Sequence, residues 1–255
     1  MGISELKIDA RRKKILEILN RCGRVQVSQL SSELGATAVT IRSDLDALES
    51  GGMLERVTGG AIAKTRFAPN EMEIPFLLEK QAIAAAAAGV IQDGDTLFLN
   101  SGTTTLQIAC ALKQHRKLNI VTSSIAIATE LSDIPSFRVI LLGGELNVQY
   151  GFTHGGDAQE QLTKYQADHV FLSVDGVSKE EGITTYHADE ALLDRMMAER
   201  AQDVIVTADH SKIGRAGFSL ICPLAHVHTL ITDTKCGTEA LAALRNGALR
   251  ILEAE

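Results

Sequence analysis

Short apolar runs alternate with helical segments through most of this chain, and that alternation leaves few folds open. An alanine-rich helical stretch from about Phe76 to Ile91 leads through Asp93-Gly94 to the apolar run "TLFLN". Then "SGTTTLQIACALKQH" reads as loop and helix, "NIVT" as a strand, "SIAIATELSD" as a helix and "RVILLGG" as a strand. A long connection follows, and after it a helix around "DAQEQLTKY", the strand "HVFLSVDG" and the helix "DEALLDRMMAERA". The strands "DVIVTAD" and "HVHTLITD", the helix "TEALAALRNG" and a last short strand "ALRILE" complete the series. Strands separated by helical segments of roughly 10–15 residues build βαβ units, hence a mostly parallel sheet with helices on both faces. Without Trp and with only 4% aromatic residues, the core of such a sheet is aliphatic.

The first 60 or so residues follow a different plan. In "DARRKKILEILNRCG", Ile15, Ile18 and Leu19 recur at helical spacing and Gly23 stands where a helix would stop. Val25 and Val27 make a brief extended link. Ser28 is placed to N-cap "SQLSSELG", which Gly35 ends. Thr37 is placed to cap "AVTIRSDLDALES", with Ile41, Leu45 and Leu48 on one face, and Gly51-Gly52 close it. "MLERVTGGAIA" then reads as two short arms around Gly59-Gly60, a hairpin. Three short helices and a glycine-turned hairpin make a winged helix-turn-helix. The expected boundaries are residues 1–64 for this module, 65–78 for a linker containing Pro69 and Pro75, and 79–255 for an α/β domain.

Charge separates the same two parts. The formal net charge is -7. Residues 1–66 nevertheless carry 11 Lys and Arg against 8 Asp and Glu, so the remaining residues hold 14 basic against 24 acidic. A basic head on an acidic body fits local phosphate binding with little non-specific adhesion. In the head, Thr37, Ala38, Thr40, Arg42 and Ser43 are the candidates for base edges and phosphates in a major groove. Arg56, Gly59 and Gly60 belong to the wing, and Arg11 and Ser28 are candidate backbone contacts. Double-stranded operator DNA is the expected partner.

In parallel sheets, ligands gather at the carboxyl ends of the strands, where helix N-termini expose backbone N–H groups. Five such edges share one chemistry. Asn100, Ser101, Gly102, Thr103, Thr104 and Thr105 follow the first strand: a glycine, hydroxyls and a helix start, suited to a phosphate. Ser123 within Thr122–Ser124 follows the second, Gly143-Gly144 the third, Asp175-Gly176 the fourth, and Asp209–Lys212 the fifth. Lys212 can neutralise a phosphate, and Asp175 can accept hydrogen bonds from sugar hydroxyls.

The head, with "LGATAVTIRSDLDALES" and "RVTGGA", resembles that of the DeoR family of bacterial sugar-metabolism regulators, which share an "L-x-x-x-TIRxDL-x-x-L" recognition helix and a "GGA" wing. Ser43 stands where the family usually has a second Arg, and Thr58 where it often has His. The body is similar too. The family's "DSGTT" appears as "NSGTTT", its "GADGI" as "SVDGV", its "GITT" as Gly182–Thr185, and its "EA…D-x-SK-x-G" as Glu190-Ala191 with Asp209–Gly214. The resemblance implies a domain related to ribose-5-phosphate isomerase and the CoA-transferase-like group. It also implies a sugar-phosphate pocket lined by Ser101–Thr105, Asp175, Glu190 and Lys212, and repression relieved by the effector. Asn100 replaces a carboxylate.

Other classes find less support. An isomerase of phosphosugars is the competing reading, since Asp or Glu beside Lys can carry out enediol chemistry, but an isomerase needs no winged helix. A scaffold binding only protein has no positive signal. No GxxxxGK or GxGxxG occurs, and no cofactor or metal is expected. His226 and His228 share one face of a predicted strand and read as surface imidazoles. Cys22, Cys110, Cys222 and Cys236 contain no CxxC pair and read as reduced thiols. The N-terminus lacks an apolar signal region, and the longest apolar run, Ala82–Ile91, is about half of the roughly 20 residues a membrane span needs. The expectation is a cytoplasmic regulator that works as a dimer or higher homo-oligomer, because one short recognition helix gives too little affinity alone.

Overall fold

The computed structural model describes residues 11–16, 18–19, 24–50, 54–62, 74–245 and 248–255. The chain folds as two units, Met1–Asn70 and Glu71–Glu255. Gly23, Gly51, Gly52 and most of the linker expected at 65–78 lie outside the described residues, and its last two residues already belong to a helix.

In the first unit, α1 (residues 11–16 and 18–19) is followed by β1 (Arg24–Gln26), α2 (Val27–Leu34), α3 (Ala38–Ser50), β2 (Glu55–Val57) and β3 (Gly60–Ile62). The strands pair antiparallel in the order β1-β3-β2. Ile15, Leu19, Leu30, Ile41, Leu45 and Leu54 are fully buried in one aliphatic core. Gly35, at φ 61, ends α2 with its N–H on the Ser31 carbonyl, the left-handed cap that glycine makes without strain. Thr37 caps α3: its Oγ1 accepts from the Thr40 N–H at 3.2 Å. Ser28 is not a cap, because α2 begins one residue earlier at Val27, whose buried side chain fixes the start, and Gln26 takes the cap position without a side-chain bond.

The second unit contains α4 (Leu77–Ala88), β4 (Thr96–Leu99), α5 (Thr103–Ala111), β5 (Asn119–Thr122), α6 (Ile125–Leu131) and β6 (Arg138–Leu141). Then come β7 (Glu145–Asn147), β8 (Phe152–His154), α7 (Gly156–Leu162), β9 (Ala167–Ser173), β10 (Gly176–Ser178), β11 (Gly182–Thr185) and α8 (Ala188–Glu199). The unit closes with β12 (Ala201–Thr207), β13 (Ser219–Cys222), β14 (Thr229–Asp233), α9 (Thr238–Leu244) and β15 (Arg250–Ala254). Seven strands form one sheet in the order β15-β14-β12-β9-β4-β5-β6, and every neighbouring pair is parallel.

Alternate residues of each strand feed two cores. Leu97, Leu99, Phe171, Ile205 and Ile231 pack with α4, α5 and α6 on one face. Phe98, Val170, Leu172, Val206 and Leu230 pack with α7 and α8 on the other. Burial on both faces is why these strands read as continuous apolar runs instead of alternating ones. On the second face the chain adds an antiparallel sheet, β10-β11-β13, and a hairpin, β7-β8. The sequence reading contained neither. It ran β9 on through Asp175-Gly176, whereas β9 stops at Ser173 and Gly176 opens β10.

Candidate functional site

The strand order changes direction once. From β4 the chain moves outward through β5 and β6, then returns to the other side of β4 and moves outward again through β9, β12, β14 and β15. The segments leaving β4 and β9 therefore diverge, and the crevice between them is the topological switch point at which open parallel sheets bind ligands. Asn100–Thr103 border it on one side and Ser173–Asp175 on the other.

The floor is polar and closed. Asn100 is fully buried; its Oδ1 accepts from Ser173 N–H at 2.9 Å, and its Nδ2 donates to Ser173 O at 2.9 Å and to Asp194 Oδ2 at 2.8 Å. Thr105, also fully buried, turns its hydroxyl to the carbonyls of Asn100 at 3.0 Å and Gly102 at 3.1 Å. Asn100 thus ties the two edges together and Thr105 braces one of them, so the polar atoms of both are used within the protein, where the sequence reading had them facing a ligand; Thr104 is buried beside them. The amide at 100 also has a local purpose. It donates to a buried carboxylate that an aspartate at this position would repel.

Two carboxyls lie deep in α8. Burial raises Glu190 well above the usual carboxylate range, helped by Asp194 and Asp175, and burial raises Asp194 to about 7. Thr185 Oγ1 lies 3.1 Å from Asp175 Oδ2 and 3.3 Å from Glu190 Oε2. Its single proton serves one of them, so a protonated Glu190 that donates to Thr185 completes the chain to Asp175. Raised carboxyl values mean that the folded state holds protons the unfolded chain releases. Stability contributed by this pair is full below the unfolded pKa near 4 and is lost as pH rises through the folded value. The stability contributed by the pair is expected to fall between about pH 4 and 7 by on the order of 1–3 kcal/mol, which lowers the melting temperature, and Asp194→Asn should make the melting temperature less dependent on pH over that range. Melting curves of equal slope for both proteins would remove the pair as its source.

The rim, at Ser101–Thr103, Ser173, Asp175 and Lys212, is half-buried. Gly102 approaches Ser173 so closely that a Cβ would lie 2.6 Å from the serine Cβ and Oγ. Beyond it α5 starts without a side-chain cap and without an acidic residue in its first turn, leaving its leading N–H groups and their partial positive charge at the crevice. Opposite, Asp175 lies in the turn after β9, its Oδ1 3.2 Å from Lys212 Nζ and its Oδ2 accepting from Tyr186 N–H at 3.0 Å. Lys212 sits on a 3-10 turn after β12 and keeps 30% of its side chain exposed. Lys80 was missed by the sequence reading because α4 lies outside every strand-end motif. It is buried, donates to Pro75 O at 2.7 Å and lies 3.7 Å from buried Asp209; burial lowers its pKa against the opposing pull of Asp209, and nearby Lys212 adds to the lowering.

Other residues assigned to this edge by sequence are engaged within the fold. Strand β8 covers Ser123, whose carbonyl accepts from Thr153 N–H at 2.9 Å. Gly143 N–H donates to Gln161 Oε1 at 3.0 Å, and a Cβ on Gly144 would lie 2.3 Å from His154 O. A Cβ on Gly176 would lie 2.5 Å from Arg215 O. The hairpin that seals these loops carries Tyr150, whose ring centroid lies 4.2 Å from that of His187 at the start of α8. Two aromatics in "NVQYGFTH", in a chain with so few, were the available signal.

In the first unit, Thr37, Arg42 and Ser43 are exposed on α3, and Ala38 and Thr40 are half-buried. Ser28 is exposed on α2. Arg11 pairs with Asp44, whose carboxylate is buried and also takes Arg12 at 3.2 Å. Arg56 reaches back to Asp46 at 3.2 Å and to the Arg42 carbonyl at 3.4 Å, bracing the wing against α3. Arg11 and Arg56 therefore hold the module together, where free phosphate contacts were expected. Gly59, at φ 80 with open space around it, forms the wing tip; Gly60 does not, for a Cβ there would lie 2.0 Å from Val25 O inside the sheet.

His226 and His228 do not share a strand. His226 ends a 3-10 turn, and His228 precedes β14 with its Nδ1 accepting from Val204 N–H at 2.9 Å. Both border a cavity of about 550 Å³ at the amino ends of the strands, opposite the crevice. Among the described residues no group of three or more His, Cys, Asp or Glu is arranged to hold a metal, and no helix is long and apolar enough to cross a membrane.

Comparisons with known proteins fall on the same division. Residues 11–67 match the DeoR-like helix-turn-helix domain, and residues 77–234 match the DeoR C terminal sensor domain. The HTH-type transcriptional regulator GolR of Listeria innocua is 32% identical over 249 residues, 96% of this chain and 98% of that protein. The HTH-type transcriptional repressor GlcR of Bacillus subtilis is 34% identical over 224 residues, 86% of each. Both are named as transcriptional regulators, which favours the regulator reading over the isomerase alternative. Among solved structures, ribose 5-phosphate isomerase A of Methanocaldococcus jannaschii overlaps 52% of each chain at 15% identity and a TM-score of 0.39.

Proposed function

We propose that this chain, which belongs to the DeoR family of DNA-binding transcriptional regulators, represses a carbohydrate catabolic operon and loses operator affinity when a phosphorylated sugar enters the crevice between β4 and β9. The observation that carries this reading is the crevice itself. An uncapped helix N-terminus and the Lys212 ammonium suit a phosphate, while Asp175, held in place through Thr185 by Glu190, suits hydroxyls on the same small molecule. The similarity to a repressor, GlcR, supports the sign of the response. Control follows from linkage: a ligand with different affinity for the DNA-competent and incompetent states shifts their balance by that difference. Two copies of the chain, acting in the cytoplasm, would supply the paired recognition helices that a specific operator demands.

A thermal-shift screen of the full-length protein tests the reading, using phosphosugars, the same sugars without phosphate, and inorganic phosphate. At about 100 times Kd a ligand adds about 2.7 kcal/mol, which raises the melting temperature by roughly 5 °C or more for a chain of this size. The expected result is a shift with one phosphosugar and little with its dephosphorylated form. Equal shifts with the plain sugar would discard the phosphate assignment, and turnover of the phosphosugar would replace the sensor with an enzyme.

A further inference from the structure

The outward face of α3 has less polar chemistry to spare than its sequence suggests. The Thr37 and Thr40 hydroxyls lie 2.8 Å apart, and Thr37 also caps the helix. Asp44 engages Arg11 and Arg12, and Arg56 is folded back onto Asp46. Exposed on the face without a side-chain partner among the described residues are Arg42 and Ser43. One turn before them stands Val39, 73% exposed. Positions 39, 42 and 43 are related as i, i+3 and i+4 and form one stripe.

A solitary exposed valine on an ordinary surface needs no explanation. This one opens the stripe that must enter a groove, at a helical position where a β-branched residue is slightly disfavoured and gains no burial in return. The major groove offers one apolar group, the C5-methyl of thymine, and contact with it distinguishes a T·A pair from the other three. We propose that Val39 reads a thymine methyl in each operator half-site, beside a base pair read by Arg42. One helical turn rises 5.4 Å and a base pair about 3.4 Å, so the thymine lies within about two base pairs of the one contacted by Arg42. This inference rests on the DNA-binding reading of α3 and adds a specificity-determining residue to it.

The test uses the full-length protein and the tightest duplex it selects from a random-sequence pool. Each thymine of that duplex is replaced singly by deoxyuridine, which keeps the base pairing and removes only the methyl. The expected result is one thymine per half-site whose replacement weakens the wild type about three- to fivefold, the loss of one buried methyl-sized contact. Val39→Ala should weaken binding to the thymine duplex by a similar factor and bind the deoxyuridine duplex no more weakly. The proposal is overturned if the wild type ignores every deoxyuridine, or if Val39→Ala keeps the full thymine dependence. Enrichment of no duplex at all would bring down the DNA-binding reading along with it, an outcome distinct from a bound duplex whose methyls do not matter. Val39 is exposed, so an unchanged melting temperature shows that the variant folds.

Discussion

Lys212→Ala is expected to abolish the phosphosugar response while leaving the unliganded protein folded and bound to its operator. The ammonium sits 3.2 Å from Asp175 Oδ1, with both side chains about 30% exposed. An ion pair in that setting contributes at most about 1 kcal/mol to stability, so the melting temperature without ligand should move little. Once a phosphate fills the crevice, the same ammonium becomes a charge-assisted donor to it. Truncating one member of such a desolvated pair removes roughly 2–4 kcal/mol of binding, about 30- to 1,000-fold in affinity. Operator binding titrated with and without the phosphosugar reads this directly. Lys212→Arg, which keeps the charge but changes its shape, should restore part of the response. A Lys212→Ala protein still released from DNA at the wild-type concentration of phosphosugar would move the phosphate away from this turn.

The second large effect concerns the wing. Gly60→Val is expected to reduce operator affinity by roughly 100-fold or more, because the new Cβ would lie 2.0 Å from the Val25 carbonyl oxygen and 3.1 Å from Gln26 Cα. Those are backbone atoms of β1, paired with Gly60 through Gln26, so no side-chain movement relieves the overlap. The strand must separate, and overpacking of this kind costs about 3 kcal/mol or more. With it goes the support under the wing tip. The neighbouring Gly59 provides the contrast. It has φ 80 with nothing within 4 Å of a Cβ, so Gly59→Ala carries only backbone strain of about 1 kcal/mol. The second unit has its own cores, and phosphosugar stabilisation of its melting transition should persist in Gly60→Val. Wild-type affinity in that variant would show that β1 and β3 need not pair for DNA binding.

Much of the architecture was legible in the residues. Helical spacing of Ile41, Leu45 and Leu48 located α3, and Thr37 was recognisable as its cap because a hydroxyl two or three residues before an N–H is a local relationship. The βαβ alternation located most strands of the main sheet for the same reason: two-sided burial writes an uninterrupted apolar run into each one. Local signals failed where a residue's partner is distant. Ser28 has the composition of a cap, yet burial of Val27 starts α2 ahead of it. The antiparallel strands β10, β11 and β13 are three or four residues long, too short to display a period, and they exist because each finds the other across an intervening loop or helix.

The candidate site divides along the same line. Glycine, serine and threonine after an apolar run identified the crevice edge, and Lys212 and Asp175 were visible by type and position. Nothing local to Asn100 announces that its amide is consumed by Ser173 and Asp194, 73 and 94 residues away. Nor could Arg11 be seen to spend its charge on Asp44, or Lys80 to lie buried beside Asp209.

The order of amino acids by itself determined the two units, the basic head, the parallel sheet and the polar ends of its strands, because each depends on periodicity, composition or neighbours within a few positions. Tertiary structure alone decided which of the polar residues at those places remain available, because hydrogen bonds and ion pairs between distant segments use up donors and acceptors that the linear chain shows as free.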